Sequence, residues 1–154
     1  MTAVPDFLEK SVLLQATRAR TWRALSAADL GSWFGVAIGT EPFAPGVRVQ
    51  GRGTDPGYED FVFDILIDRV EPERSLAWRW HPAVMDPAGD YSSEPMTLVV
   101  FELEALNEGT RLRIVESGFD HIPEPRRTQA FHMNNIGWED VTRNIARYLA
   151  QASG

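Results

Sequence analysis

His81, His121 and His132 are the only histidines in the 154-residue chain, and an imidazole is the side chain most ready to act as a base or metal ligand near pH 7. Their spacing gathers no zinc ligands: there is no HxH, HExxH or His-x-x-x-His pattern. Cysteine is absent, which excludes disulfides, thiolate metal sites and cysteine nucleophiles. Asp120 precedes His121, and a carboxylate beside an imidazole can orient a base. Adjacent loop residues seldom point together, however, and aspartate is equally a turn former. Ser92-Ser93 has no nucleophile-elbow context, and no GxGxxG or Walker pattern occurs. No catalytic residue, metal or cofactor is therefore assigned.

The aromatic residues carry more information. Trp33, Phe34, Phe63, Trp78, Trp80, Phe101, Phe119, Phe131 and Trp138 form a large set for this length. Each can bury about 150–250 Å², so one role is plain core. The other is the wall of a cavity, with an indole N–H, Asn134 or Asn135 as polar anchor. Asn134 lies three residues after Phe131 and four before Trp138, so in a helix it shares their face. An amide on an apolar stripe is costly unless it is paired or wetted. His132 is six residues before Trp138 and falls about 120° round the helix, away from that stripe. Gly137 is expected to let the helix approach the sheet closely, at about 1 kcal/mol in helix propensity.

The elements that must position these residues follow from periodicity. Residues 7–16 read as a strand, with Leu8, Val12 and Leu14 near a period of two. Residues 17–25 read as a helix. Ser26 and Asp29 have capping-box spacing for a second short helix bearing Leu30, Trp33 and Phe34. Strands are then predicted over 47–51 and 61–70, the latter with Phe61, Phe63, Ile65 and Ile67 on one face. Leu76, Trp78 and Trp80 alternate in the next strand, and a loop rich in Pro, Asp, Ser and Gly follows over 82–95. Residues 97–106 and 110–117 read as a hairpin, with Arg111 and Arg113 on a wet face opposite Leu112 and Ile114. Phe131, Trp138, Val141, Ile145 and Leu149 recur at helical spacing within a final helix over 126–151. That helix is the only element long enough to cover the sheet.

Composition narrows the partners. The net charge is −7, which disfavours a phosphate backbone, whose binding depends on Lys and Arg; nucleic acid is not expected. No run of about 18 apolar residues exists, so no membrane insertion is expected. The first residues lack a signal-peptide pattern, and a cytoplasmic address follows as an expectation. The chain is read as one domain over residues 1–154. Arginine in place of lysine, with many Ala, Gly and Pro, suggests a GC-rich bacterial source.

The segment 16–25 (ATRARTWRAL), followed by Asp29-Leu30 and Trp33-Phe34, resembles the opening of the activator of heat-shock protein 90 ATPase homologue-like proteins. These belong to the START-related, birch-pollen-allergen-like superfamily. Residues 68–78, Gly109-Thr-Arg-Leu112, Glu116-Ser-Gly-Phe119 and Gly137-Trp138 are similar to later motifs of the family. A departure is Ala44-Pro-Gly-Val47, where many members carry a Gly-Gly pair, with a longer loop over 53–60. The resemblance implies an α+β helix-grip fold: a curved antiparallel sheet of six to seven strands around a long C-terminal helix, with two short helices after the first strand. It also implies a cavity between sheet and helix. Fold alone does not select a reaction.

Three functions compete. The first is a module that holds a small hydrophobic or amphipathic ligand, with Trp33, Phe63, Trp78, Trp80, Phe101, Phe131, Asn134 and Trp138 as wall. The second is a cavity enzyme of polyketide cyclase or dehydratase type, with His81, His121 or His132 as base. The third is an interaction domain that meets a chaperone or a second copy of itself. The eukaryotic co-chaperone of the family has a separate N-terminal domain not found in this sequence, so a chaperone partner is not expected, while a homodimer stays open.

Overall fold

A computed structural model describes residues 4–86 and 88–151. Strand β1 (Phe7–Leu14) alternates as its pattern predicts, with Leu8 and Leu14 inward. Helix α1 (Arg18–Ala24) starts at Thr17, whose side chain accepts from the Arg20 N–H at 3.1 Å. This satisfies one of the free donors of the first turn.

Helix α2 (Leu30–Phe34) begins later than its predicted cap. The expected Ser26–Asp29 capping box does not form: Ser26 lies in the turn after α1, and its backbone carbonyl, not its hydroxyl, takes the N–H groups of Asp29 and Leu30. Asp29 is the N-cap residue, and its side chain makes no capping hydrogen bond. Gly35 ends α2 at φ +79°, a left-handed conformation that favours glycine.

Six strands follow: β2 (Val36–Ala37), β3 (Arg48–Gly53), β4 (Val62–Glu71), β5 (Ser75–Trp80), β6 (Thr97–Leu106) and β7 (Gly109–Ser117). With β1 they form one seven-stranded antiparallel sheet in the order β1-β7-β6-β5-β4-β3-β2. β2 is only two residues long and has no legible alternation. β4 starts one residue later than predicted, so Phe61 precedes the strand while Phe63, Ile65 and Ile67 point into the core. A register shift between Ile67 and Arg69 bends β4.

Gly118, at φ +102°, turns the chain out of β7 into a 3-10 turn, Phe119–His121. Helix α3 (Arg126–Gln151) then crosses the inner face of the sheet and packs on β1 and α2. Its buried stripe is Phe131, Asn134, Trp138, Val141, Ile145 and Leu149. The fold is thus α+β, a curved antiparallel sheet gripping a long C-terminal helix. No helix among the described residues is long and apolar enough to cross a membrane.

Candidate functional site

The strongest chemical feature lies on the inner face of β7. Alternation puts Thr110, Leu112, Ile114 and Glu116 inward, all fully buried, with Arg111 and Arg113 outward. Glu116 sits beside Val99 of β6 and Leu8 of β1 in the strand register. Four side chains converge on its carboxyl. Oε2 accepts from the Trp80 indole N–H at 2.8 Å and from the Thr97 hydroxyl at 2.5 Å. Oε1 accepts from the Asn134 amide nitrogen and the Trp138 indole N–H, both at 2.8 Å.

The backbone explains this convergence. Trp80 ends β5 and Thr97 opens β6, and the two are register partners. Asn134 and Trp138 are one helical turn apart on α3. Glu116 enters no ion pair among the described residues. Burial pushes its carboxyl above the usual glutamate range, and the hydrogen bonds from Thr97, Trp138, Trp80 and Asn134 oppose that shift without cancelling it.

In front of this hub is a cavity of about 610 Å³, within the range of small-molecule sites. Trp80, Asn134 and Trp138 form part of its wall, with Phe34, Phe61, Ala83, Met85 and Val141. Tyr58, Met133 and Ile136 line it and are exposed, so the cavity opens to solvent there. Asp55, Asp140, Arg143, Asn144 and Arg147 supply its polar lining. The loop over 53–60 contributes two lining residues, Asp55 and Tyr58.

Five of the eight residues read from the sequence as wall lie elsewhere. Phe63, Trp78 and Phe101 are fully buried behind the cavity, and Trp78 packs at a tilt against both Phe101 and Trp138. Trp33 is buried, donates its indole N–H to the Ala24 carbonyl at 2.8 Å, and borders a second depression beside Asn144 and Arg147. Phe131 packs edge-on against Phe119. Of the eight, only Trp80, Asn134 and Trp138 reach the cavity. The polarity of Asn134 is accounted for by its bond to Glu116.

The histidines stand apart. His81 meets the Glu94 carbonyl through Nε2 at 2.9 Å, His121 and His132 are exposed, and none lines the cavity. Asp120 is exposed as well. Among the described residues no cluster of three or more His, Cys, Asp or Glu could hold a metal. Gly137 corrects an expectation: a Cβ there would meet nothing within 4 Å, so the glycine is not needed for close packing and instead borders the cavity.

Phe34, one of the aromatic set, and Phe61, on the inward face expected of its strand, join the wall without having been named as wall residues, and Glu116 was not singled out. The signal for Glu116 was present, because the alternation that sent Arg111 and Arg113 outward sends residue 116 inward.

Comparison with solved structures returns the same fold. Protein MLL2253 from Mesorhizobium loti is 23% identical, with a TM-score of 0.73 over 96% of this chain and 99% of its own. The Aha1 dimer from Colwellia psychrerythraea is 19% identical, with a TM-score of 0.72 over 96% and 98%. DynU16, a protein in the dynemicin biosynthetic locus, is 25% identical, with a TM-score of 0.69 over 96% of this chain but 48% of its own, so this chain corresponds to about half of it. No curated protein sequence matches the chain. Residues 15–150 match the family described as Activator of Hsp90 ATPase homolog 1-like protein. The chain belongs to that family.

Proposed function

We propose that this chain is a binding module for a small hydrophobic or amphipathic molecule, held between α3 and the β5 end of the sheet. One observation carries the reading: a cavity of about 610 Å³ has a wall whose two tryptophans and one asparagine are all tied to the same buried carboxyl. Such anchoring keeps large side chains from collapsing into the space they border, and a pre-formed site avoids part of the ordering cost of binding. The aromatic lining suits an apolar body, and the charged groups around it suit a polar end. DynU16 comes from a biosynthetic locus, a setting in which a small organic ligand is natural. The rival reading with a histidine base finds no histidine in the wall.

The test is native mass spectrometry of the protein purified under mild conditions, followed by extraction. A co-purifying small molecule, released unchanged and displaced by Gly137→Leu, is the expected result. A protein that carries no adduct and takes up no member of an apolar ligand panel contradicts the reading. Self-association is a second reading, favoured by the exposed Met133 and Ile136 on α3; a monomer by light scattering at high concentration removes it.

A further inference from the structure

The hydrogen bonds of the hub leave one polar atom of the wall free to meet a ligand. The two indoles in the wall have one N–H each, and both are engaged by Glu116. They therefore turn only ring surface toward a ligand. Asn134 is different, because an amide carries a donor end and an acceptor end on opposite sides of one carbon. Its nitrogen donates to Glu116 Oε1 at 2.8 Å. Its oxygen accepts no hydrogen bond among the described residues, yet it is not one of the buried side-chain atoms without a hydrogen-bond partner there. It is thus an accessible acceptor on a residue that lines the cavity.

The orientation holds with Glu116 ionised and equally with a proton on Oε2, the oxygen that faces the Thr97 hydroxyl. With the carboxylate ionised, all four neighbours donate to it. With a proton on Oε2, the Thr97 hydroxyl at 2.5 Å can accept it, and Oε1 still receives the Asn134 nitrogen and the Trp138 indole. In both states the amide oxygen faces away from Glu116.

We propose that the cavity selects molecules with an apolar ring body and a hydroxyl or N–H donor, which Asn134 Oδ1 receives. Glu116 is then a positioning residue: it touches no ligand and fixes which end of the amide the ligand meets. This rests on the binding reading above but adds a polarity to it. A ligand whose polar atom is only an acceptor leaves Oδ1 desolvated and unpaired, which costs affinity.

The test uses a matched pair, 2-naphthol and 2-methoxynaphthalene, titrated calorimetrically into the wild-type protein and into Asn134→Leu. Circular dichroism and a cooperative thermal transition check folding, with Asn134→Ala as companion if leucine disrupts it. The expected result is roughly tenfold tighter binding of the naphthol to the wild type, about one hydrogen bond's worth, and a ratio near one in the variant. Equal affinity of the two probes for the wild type overturns the inference and leaves the binding reading standing. A preference that persists in both variants overturns it too, by showing that another group receives the donor. If neither probe binds the wild type, the inference falls, and the native-mass experiment decides the binding reading separately.

Discussion

The two faces of β7 hold charge in opposite ways. On the outer face Arg113 pairs with Glu9 of β1 and, at 2.6 Å, with Glu102 of β6, while Arg111 meets Glu104 at 2.9 Å. These are exposed cation–anion ladders across neighbouring strands, and water competes for every member. On the inner face Glu116 is fully buried, enters no ion pair among the described residues, and is held by four neutral donors. The outer charges can be exchanged with little consequence, whereas the inner one organises two strands, a helix and a cavity wall at once. The acid that matters is thus distinguished by what surrounds it, not by having a cation.

The largest effect is expected at the buried carboxyl. Glu116→Leu strips the acceptor from two indoles, one amide and one hydroxyl, and is expected to cost on the order of 3–5 kcal/mol of stability in urea denaturation. A cost under about 1 kcal/mol would mean that water satisfies these groups as well as the carboxyl does. Next in size is a contrast between two core tryptophans. Trp138 donates to Glu116 at 2.8 Å, whereas Trp78 Nε1 is buried with no acceptor among the described residues. Trp138→Phe should therefore cost about 1–2 kcal/mol more than Trp78→Phe, since both lose similar ring area but only one loses a hydrogen bond to a carboxyl. Gly137→Ala should act in the other direction, raising stability by about 0.5–1 kcal/mol, because its Cβ meets nothing and helix propensity improves.

The response to pH separates inner from outer acids by sign. Burial raises the Glu116 pKa, so the folded state binds its proton more tightly than the unfolded chain. Its contribution to stability is then fullest in acid, below the ordinary glutamate range, and falls as pH rises through the folded-state pKa. Asp64 on β4 behaves oppositely. The Arg48 hydrogen bond lowers its pKa, so its contribution is present above the ordinary aspartate range and is lost as pH falls through its depressed value. Measured from acid to neutral pH, the stability of the wild type relative to Glu116→Gln should decline, and relative to Asp64→Asn it should grow. The smallest effect is expected from Arg113→Ala, a slight loss at low salt that vanishes as salt is added.

Much of the fold was legible in the sequence. Period-two runs located β1 and β5, and the turn at residues 107–109 located the β6–β7 hairpin. The stripe from Phe131 to Leu149 fixed α3. Two features escaped for local reasons: β2 is too short to show a period, and Ser26 competes for a turn rather than a cap. The hub escaped for a non-local one. Trp80, Thr97, Asn134 and Trp138 lie 18 to 36 residues from Glu116 in sequence, and no motif records a convergence that only sheet register and helix placement create. Asn134 could be singled out because one helix sets its face, but its partner sits on another element. The same limit explains the wall: aromaticity marks Phe63, Trp78 and Phe101 as strongly as Trp80, and only depth in the fold separates core from cavity.

The central claim is that the space before the Glu116 hub receives a small molecule, and Gly137 offers the most direct way to test it. Gly137 lines the cavity, a Cβ there meets nothing within 4 Å, and the residue supplies none of the hub's side-chain hydrogen bonds, so a leucine adds bulk to the wall while favouring the helix. Calorimetric titration of 2-naphthol, or of whichever ligand co-purifies, into wild type and Gly137→Leu is the measurement. Saturable one-to-one binding to the wild type, weakened at least tenfold in a Gly137→Leu protein of undiminished thermal stability, is the result this account predicts. Equal binding by the two proteins would place the ligand elsewhere and contradict it.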